Sequence, residues 1–129
     1  MATRIFLFLS ALLWLPYGIY CFAQPASLAE AAGVAFQSPT GSTELRAMYG
    51  GLQIAIGVLA GLAALRPPLV RPALIAIAFL TAGLGSSRLV GALIDGGFSS
   101  YTGMGLGFEL VSASVALFLL SRERTPALV

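Results

Sequence analysis

The chain has 129 residues, of which 58% are hydrophobic and only 9% are charged, and its mean hydropathy is +0.94. Soluble domains carry about 25% charged residues, so this composition excludes a soluble globular protein and predicts a single integral membrane domain over residues 1–129. The formal net charge of +2 comes from few residues and does not indicate a nucleic-acid partner.

The residue types that are missing exclude several kinds of chemistry. The sequence has no histidine, which most catalytic zinc and non-haem iron sites and transmembrane b-type haems use as a ligand. Its single cysteine, Cys21, cannot form an intrachain disulfide or a CxxC redox pair. We therefore expect no metal site and no cofactor in this chain, and we interpret Cys21 as a small packing residue.

The first apolar run covers residues 5–23, which is long enough to cross a hydrocarbon core of about 30 Å. Arg4 precedes the run, and Cys21-Phe22-Ala23 faintly resembles a signal-peptide cleavage site. The run is longer than a usual signal core and contains Trp14 and Pro16, so we favour a retained span with a kink at Pro16 over a cleaved leader.

The remaining runs predict further spans at residues 45–65, 72–94 and 102–121. Residues 27–36 could form a short interfacial helix, and Ser42 or Thr43 is a suitable N-cap for the second span. Arg66 to Arg71 reads as a basic turn, after which Pro72 suits the first turn of the third span. The predicted fold class is an all-α, four-helix transmembrane bundle.

The arginines predict the orientation of this bundle. With four spans, one side of the membrane carries most of the basic residues: Arg4, Arg66, Arg71, Arg122 and Arg124. The positive-inside rule places that side, and hence both termini, in the cytoplasm.

Polar residues interrupt the last three spans at helical spacing, so that each span has a polar stripe next to small residues. Counting about 1.5 Å per residue from the predicted helix ends places these residues at similar depth in the outer half of the bilayer. We predict that they form one buried polar cluster or pocket, composed of Glu44, Arg46, Tyr49, Gln53, Arg88, Asp95 and Glu109.

Within this cluster, Arg88 is expected to pair with Glu109, because an unpaired charge near the bilayer centre costs at least about 2.5–3.5 kcal/mol. Arg46 would pair with Asp95 or Glu44 in an upper layer. The cluster can be interpreted as a structural clasp that fixes helix register or as a ligand or ion pocket. Proton transfer through Glu109 is the least favoured interpretation, because a neighbouring arginine stabilises the ionised carboxylate.

The motifs Glu44-x-Arg46-Ala47-x-Tyr49-Gly50-Gly51 and Arg88-Leu89-Val90-Gly91-x-x-x-Asp95-Gly96, followed by a lone Glu109, carry a family resemblance. The chain resembles the small bacterial membrane proteins catalogued as domain of unknown function 4345, which are similar in outline to the DoxX-like group. The resemblance covers nearly the whole chain and implies a four-span bundle in a bacterial inner membrane. It marks the charged residues and tyrosine of these motifs as signature positions and implies no established activity.

These observations favour a non-enzymatic, multi-pass membrane protein that serves as an accessory or structural subunit of a larger membrane complex. Its expected partners are the lipid bilayer and other membrane subunits. The alternative is a small-molecule, lipid or quinone-binding protein or transporter that uses the polar cluster as its pocket. An enzyme is disfavoured, and no catalytic residue is predicted, because no nucleophile–base pair is visible.

Overall fold

A computed structural model describes residues 1–123, and the regular secondary structure within this range is entirely helical. The predicted tail, including Arg124, lies outside the described residues. The helices are α1 (Ala2–Ala23), α2 (Ser27–Ala32), α3 (Pro39–Leu45), a π-helical segment (Arg46–Gly51), α4 (Leu52–Leu65), α5 (Pro67–Asp95) and α6 (Ser100–Arg122).

Four helical stretches are long and apolar enough to cross a membrane: Ala2–Ala23, Pro39–Leu65, Pro67–Asp95 and Ser100–Arg122. The second stretch combines α3, the π-helical segment and α4, which follow one another without a break. The predicted fold class, an all-α protein with four spans, is thereby confirmed. The cytoplasmic location of both termini stays a prediction.

The start of the second span differs from the prediction. The helix begins at Pro39, and its N-cap is Ser38, whose side chain accepts a hydrogen bond from the backbone N–H of Gly41 at 3.1 Å. The N-cap at Ser42 or Thr43 was therefore wrong. Proline suits the first helical position because its missing N–H would have no intrahelical partner there, and the preceding serine satisfies a neighbouring N–H.

The third span also begins earlier than predicted, at Pro67. Residues 67–71, which the sequence suggested as a turn, belong to the helix, and Pro72 lies inside it rather than in its first turn. Pro67 and Pro68 both fit a first turn, whose N–H groups have no helical acceptor. The short helix after α1 is likewise confined to Ser27–Ala32, because Gly33 ends it with a positive φ of 69°.

The chain divides into two compact units, Met1–Leu69 and a second unit from Val70 onward. In the first unit, α1 packs against the π-helical segment and α4 through glycines. A Cβ atom on Gly18 would lie 2.8 Å from the backbone nitrogen of Ile54, and one on Gly57 would lie 2.8 Å from that of Leu15. These distances are too short for a real side chain, so only glycine permits this close approach of the helix backbones.

In the second unit, α5 and α6 meet around Gly85, where an added Cβ would lie 3.3 Å from the Cβ of Glu109. Where α5 begins and α6 ends, the Nη1 of Arg71 donates a hydrogen bond to the backbone oxygen of Glu123 at 3.3 Å. The fully buried hydroxyl of Thr81 donates to the carbonyl of Ile77 one turn earlier, so it is satisfied within its own helix.

We predict that Gly57→Ala destabilises the protein by about 1–3 kcal/mol, because the new methyl group would press on the side chain and backbone of Leu15. Gly107→Ala is the matched control, since no described residue lies within 4 Å of the added Cβ and alanine favours a helix. The measurement is unfolding in detergent micelles, followed by the fluorescence of Trp14, the single tryptophan. Equal stabilities for the two variants would contradict the close packing of α1 on α4.

Candidate functional site

One face of α6 forms the binding surface for an arginine side chain from α5. Ser99 caps the start of α6 by accepting a hydrogen bond from the backbone N–H of Thr102 at 3.1 Å. From there, Tyr101, Gly105 and Glu109 follow one another at four-residue spacing and therefore lie on one side of the helix. The Arg88 side chain of α5 lies against this side.

The contact between Arg88 and Glu109 is a bidentate ion pair. The Nη2 of Arg88 donates to Oε1 of Glu109 at 2.7 Å, and its Nε donates to Oε2 at 3.0 Å. The Glu109 side chain is only 5% exposed, whereas that of Arg88 is 27% exposed. Two parallel charge-assisted hydrogen bonds fix both the distance and the plane of the two groups, which makes such pairs geometrically specific.

Gly105 and Tyr101 complete the surroundings of the guanidinium group. A Cβ atom on Gly105 would lie 3.0 Å from both Cζ and Nε of Arg88, so the glycine leaves the space that the guanidinium occupies. The Cζ of Arg88 lies 5.8 Å from the centre of the Tyr101 ring, within the range of a cation–π contact. This face of α6 thus surrounds the guanidinium group with the ring of Tyr101, the space left by Gly105 and the carboxylate of Glu109.

In the first unit, Arg46 makes a different kind of contact. Its Nη1 donates a hydrogen bond to the backbone carbonyl of Phe22, and its Cζ lies 5.7 Å from the centre of the Phe22 ring. Phe22 belongs to the last turn of α1, where carbonyl groups have no helical donor and the helix dipole is negative. Arg46 therefore caps α1, and within the first unit no ion pair joins it to Glu44, which corrects that predicted pairing.

The segment that carries Arg46 and Tyr49 is π-helical, over Arg46–Gly51, and Gly50 within it packs against Phe22. An added Cβ on Gly50 would lie 2.7 Å from that of Phe22. Gly50 thus allows close packing of this segment on α1, but no residue pattern in the sequence predicts the π-helical turn. Such turns are rare and occur often at functional sites.

Gln53 follows on α4 and is buried, with its side-chain Oε1 lacking a hydrogen-bond partner among the described residues. Tyr49 is half-buried, while Glu44 and Asp95 are exposed, which departs from the burial predicted for these two. Asp95 is the last residue of α5, and Glu44 is the sixth residue of the span that begins at Pro39.

The structure thus brings Arg88 and Glu109 together as predicted. The other members of the predicted cluster are divided between the units, with Glu44, Arg46, Tyr49 and Gln53 in the first and Asp95 in the second. A single cluster of all these residues stays a prediction. Within residues 1–123, no group of three or more histidine, cysteine or acidic side chains is placed to hold a metal ion.

Comparison with known proteins gives one match. The model of a family described as domain of unknown function (DUF4345) matches residues 2–120, which confirms the resemblance that the sequence motifs indicated. No curated protein and no solved structure matches the chain.

We predict strong coupling between Arg88 and Glu109 in a double-mutant cycle of Arg88→Met and Glu109→Gln. Each single change leaves one polar partner unmatched, and Arg88→Met, which strands a buried carboxylate, should cost about 3–5 kcal/mol. The double variant should be more stable than the sum of the single effects by about 0.5–3 kcal/mol. Unfolding in detergent gives these values, with Arg122→Met as the exposed control. Additive effects would mean that the pair contributes no interaction energy.

Proposed function

We propose that this protein, which belongs to the family described as domain of unknown function (DUF4345), is a small non-enzymatic membrane protein that serves as an accessory subunit of a larger membrane complex. In this proposal the Arg88–Glu109 pair is a structural clasp. The observation that carries it is that both oxygens of the buried Glu109 carboxylate accept hydrogen bonds from Arg88. The most deeply buried charge of the described chain is thereby matched internally.

A clasp suits this geometry better than a reactive site does. A general acid or base needs a proton-exchanging contact with its substrate, whereas the oxygens of Glu109 face the guanidinium group of Arg88. A buried ion pair need not add stability relative to apolar residues, but a misplaced partner leaves an uncompensated charge. Any other register of α5 against α6 would separate the pair and raise the free energy of the folded state. Fixing the register in this way is a structural role.

The small amount of chain outside the spans supports an accessory role. A single residue, Arg66, joins α4 to α5, and residues 96–99 join α5 to α6. The spans also carry large exposed apolar side chains, such as Phe79 and Ile94, which suit contact with lipid or with another membrane subunit. Little of the described chain remains for binding a water-soluble substrate.

Open glycines on α5 and α6 further support contact with another helix. In the part of the chain that the structure describes, nothing lies within 4 Å of a Cβ added to Gly83, Gly91 or Gly107. On α5, Gly83, Ser87 and Gly91 follow one another at four-residue spacing, so these three small residues share one face of the helix. Small residues on a membrane-spanning face allow a neighbouring helix to approach closely, which is how helices associate in lipid.

The proposal also includes the orientation and the membrane. We place both termini in the cytoplasm of a bacterial inner membrane, because the arginines cluster at the corresponding span ends. Arg4 and Arg122 lie near the ends of the first and last described spans, Arg66 joins the middle two, and Arg71 lies near the start of α5. All of these then lie on the cytoplasmic side.

We predict that gentle-detergent extraction from native membranes, followed by intact-complex mass spectrometry, finds this chain in a stoichiometric larger assembly. Gly83→Leu combined with Gly91→Leu should reduce the fraction in that assembly at least several-fold without lowering the melting temperature, because leucine fills the open face of α5. Gly97→Leu, an equally open glycine in the loop after α5, is the control. Recovery of a lone chain or a small homo-oligomer would contradict the accessory role.

We predict that a membrane-impermeant thiol reagent applied from outside the inner membrane labels Gly97→Cys and not Leu69→Cys. Both substitutions are made in a Cys21→Ala background, because Cys21 is the one native cysteine. The two positions lie near opposite ends of α5, so they should respond oppositely. Labelling of Leu69→Cys alone would reverse the proposed orientation.

A further inference from the structure

The first unit contains polar groups that its own residues do not satisfy, and they lie close together along the chain. Residues 46–53, called here the polar segment, include Arg46, Tyr49 and Gln53 and run from the π-helical turn into α4. Both ends of the polar segment lie against α1: Arg46 contacts Phe22, and the Cβ of Gln53 lies 2.9 Å from the position of a Cβ added to Gly18.

At the N-terminal end of the polar segment, the positive charge of Arg46 is not neutralised within its unit. The guanidinium group donates to the carbonyl of Phe22, but neither carboxylate of the first unit, Glu30 or Glu44, forms an ion pair with it in the described part of the chain. A guanidinium group has five N–H donors, so several remain available after this contact. An anion is the partner that such a group favours.

At the C-terminal end of the polar segment, a buried oxygen of Gln53 is unsatisfied among the described residues. The residue is 9% exposed, and its Oε1 is buried without a hydrogen-bond partner among the described residues. A buried acceptor without a donor costs about 1–3 kcal/mol, and hydrocarbon offers no water to relieve that cost. A leucine at position 53 would fill a similar volume without the free-energy cost of an unpaired acceptor. A hydroxyl group can both donate and accept, so it would satisfy this amide in either orientation.

The length of the span indicates the depth of these two groups. Pro39–Leu65 has 27 residues and measures about 40 Å, whereas a hydrocarbon core is about 30 Å thick and needs about 20 residues. If Leu65 lies at one boundary of the core, Arg46 lies at the other, at the level of lipid headgroups. Gln53 then lies about 10 Å deeper along the helix.

We propose that the polar segment binds a single-chain lipid whose anionic headgroup is followed by a free hydroxyl group. In this proposal Arg46 donates hydrogen bonds to the anion, and the Oε1 of Gln53 accepts a hydrogen bond from the hydroxyl group. The acyl chain extends into the hydrocarbon core beside the span. The π-helical turn between Arg46 and Gln53 gives the local backbone the irregular geometry that accompanies many binding sites.

This proposal does not depend on the proposed accessory role. Its residues belong to the first unit, whereas the ion pair of Arg88 and Glu109 belongs to the second. It also assigns lipid binding to a different place from that pair, whose charges already satisfy each other. A loss of binding and a loss of the clasp can therefore be measured separately.

The test uses the full chain in dodecyl maltoside micelles and compares binding of four compounds at increasing mole fraction. They are 1-oleoyl-glycerol 3-phosphate, its analogue without the 2-hydroxyl, 1-oleoyl-glycerophosphocholine and glycerol 3-phosphate. The first should bind most tightly. Removing the hydroxyl should weaken binding by about threefold to tenfold, and removing the net charge by at least about tenfold. Glycerol 3-phosphate, which lacks the chain, should bind far more weakly.

Two variants assign these preferences to residues. Gln53→Leu should abolish the preference for the hydroxyl while the ligand-free protein melts no lower than the wild type. Arg46→Gln should abolish the preference for the anion, and Arg46→Lys should keep it. Because each preference is a ratio of Kd values within one folded variant, a change in stability does not imitate it. Gln24→Leu, at an exposed glutamine after α1, should leave both preferences unchanged.

Three results would overturn the proposal. Equal Kd values for the lipid and its analogue without the hydroxyl would remove the role of Gln53, as would a hydroxyl preference that persists in Gln53→Leu. Binding of glycerol 3-phosphate as tight as that of the lipid would assign the site to a soluble phosphate compound. A marked loss of stability in ligand-free Gln53→Leu would show that the amide has a structural partner.

Discussion

The structure depends on one constraint, which is that hydrocarbon supplies no hydrogen bonds. Every polar group in a span must find its partner in the protein or in another molecule of the membrane. Thr81 and Ser10 meet this constraint locally by donating to the carbonyl one turn earlier. Arg88 and Glu109 meet it across two helices. The side-chain Oε1 of Gln53 does not meet it within the described residues.

The same constraint explains how Arg46 in the second span and Arg88 in the third differ. Arg88 faces a buried carboxylate that accepts two parallel hydrogen bonds, so its charge is used within the second unit. Arg46 faces a backbone carbonyl at the end of α1 and the ring of Phe22, which are dipolar or apolar partners. A carbonyl satisfies a donor but does not neutralise a charge. Two residues of one type, both in spans, therefore have different capacities for an outside ligand.

Much of the architecture could be predicted from the sequence, because apolar length and polar interruptions are properties of composition and spacing. The spans and the pairing of Arg88 with Glu109 follow from these properties. The helix starts at Pro39 and Pro67 were missed, because the starts were assigned to later residues, an N-cap at Ser42 or Thr43 and a first turn at Pro72. The missing hydrogen-bond partner of Gln53 Oε1 could not be predicted, because hydrogen bonding at a buried side chain depends on the rotamers and contacts of its neighbours.

The role of the glycines also depends on contacts that sequence spacing does not specify. Gly57 and Gly61 match the GxxxG pattern, yet only Gly57 is in tight contact with α1, whereas a Cβ added to Gly61 would lie 3.6 Å from Ala11. Among the described residues, nothing lies within 4 Å of a Cβ added to Gly83 on α5. A glycine in the interior of a helix costs up to about 1 kcal/mol relative to alanine, and close packing offsets that cost at Gly57. The open glycine of α5 has no such compensation within the described chain, and contact with another helix would supply it.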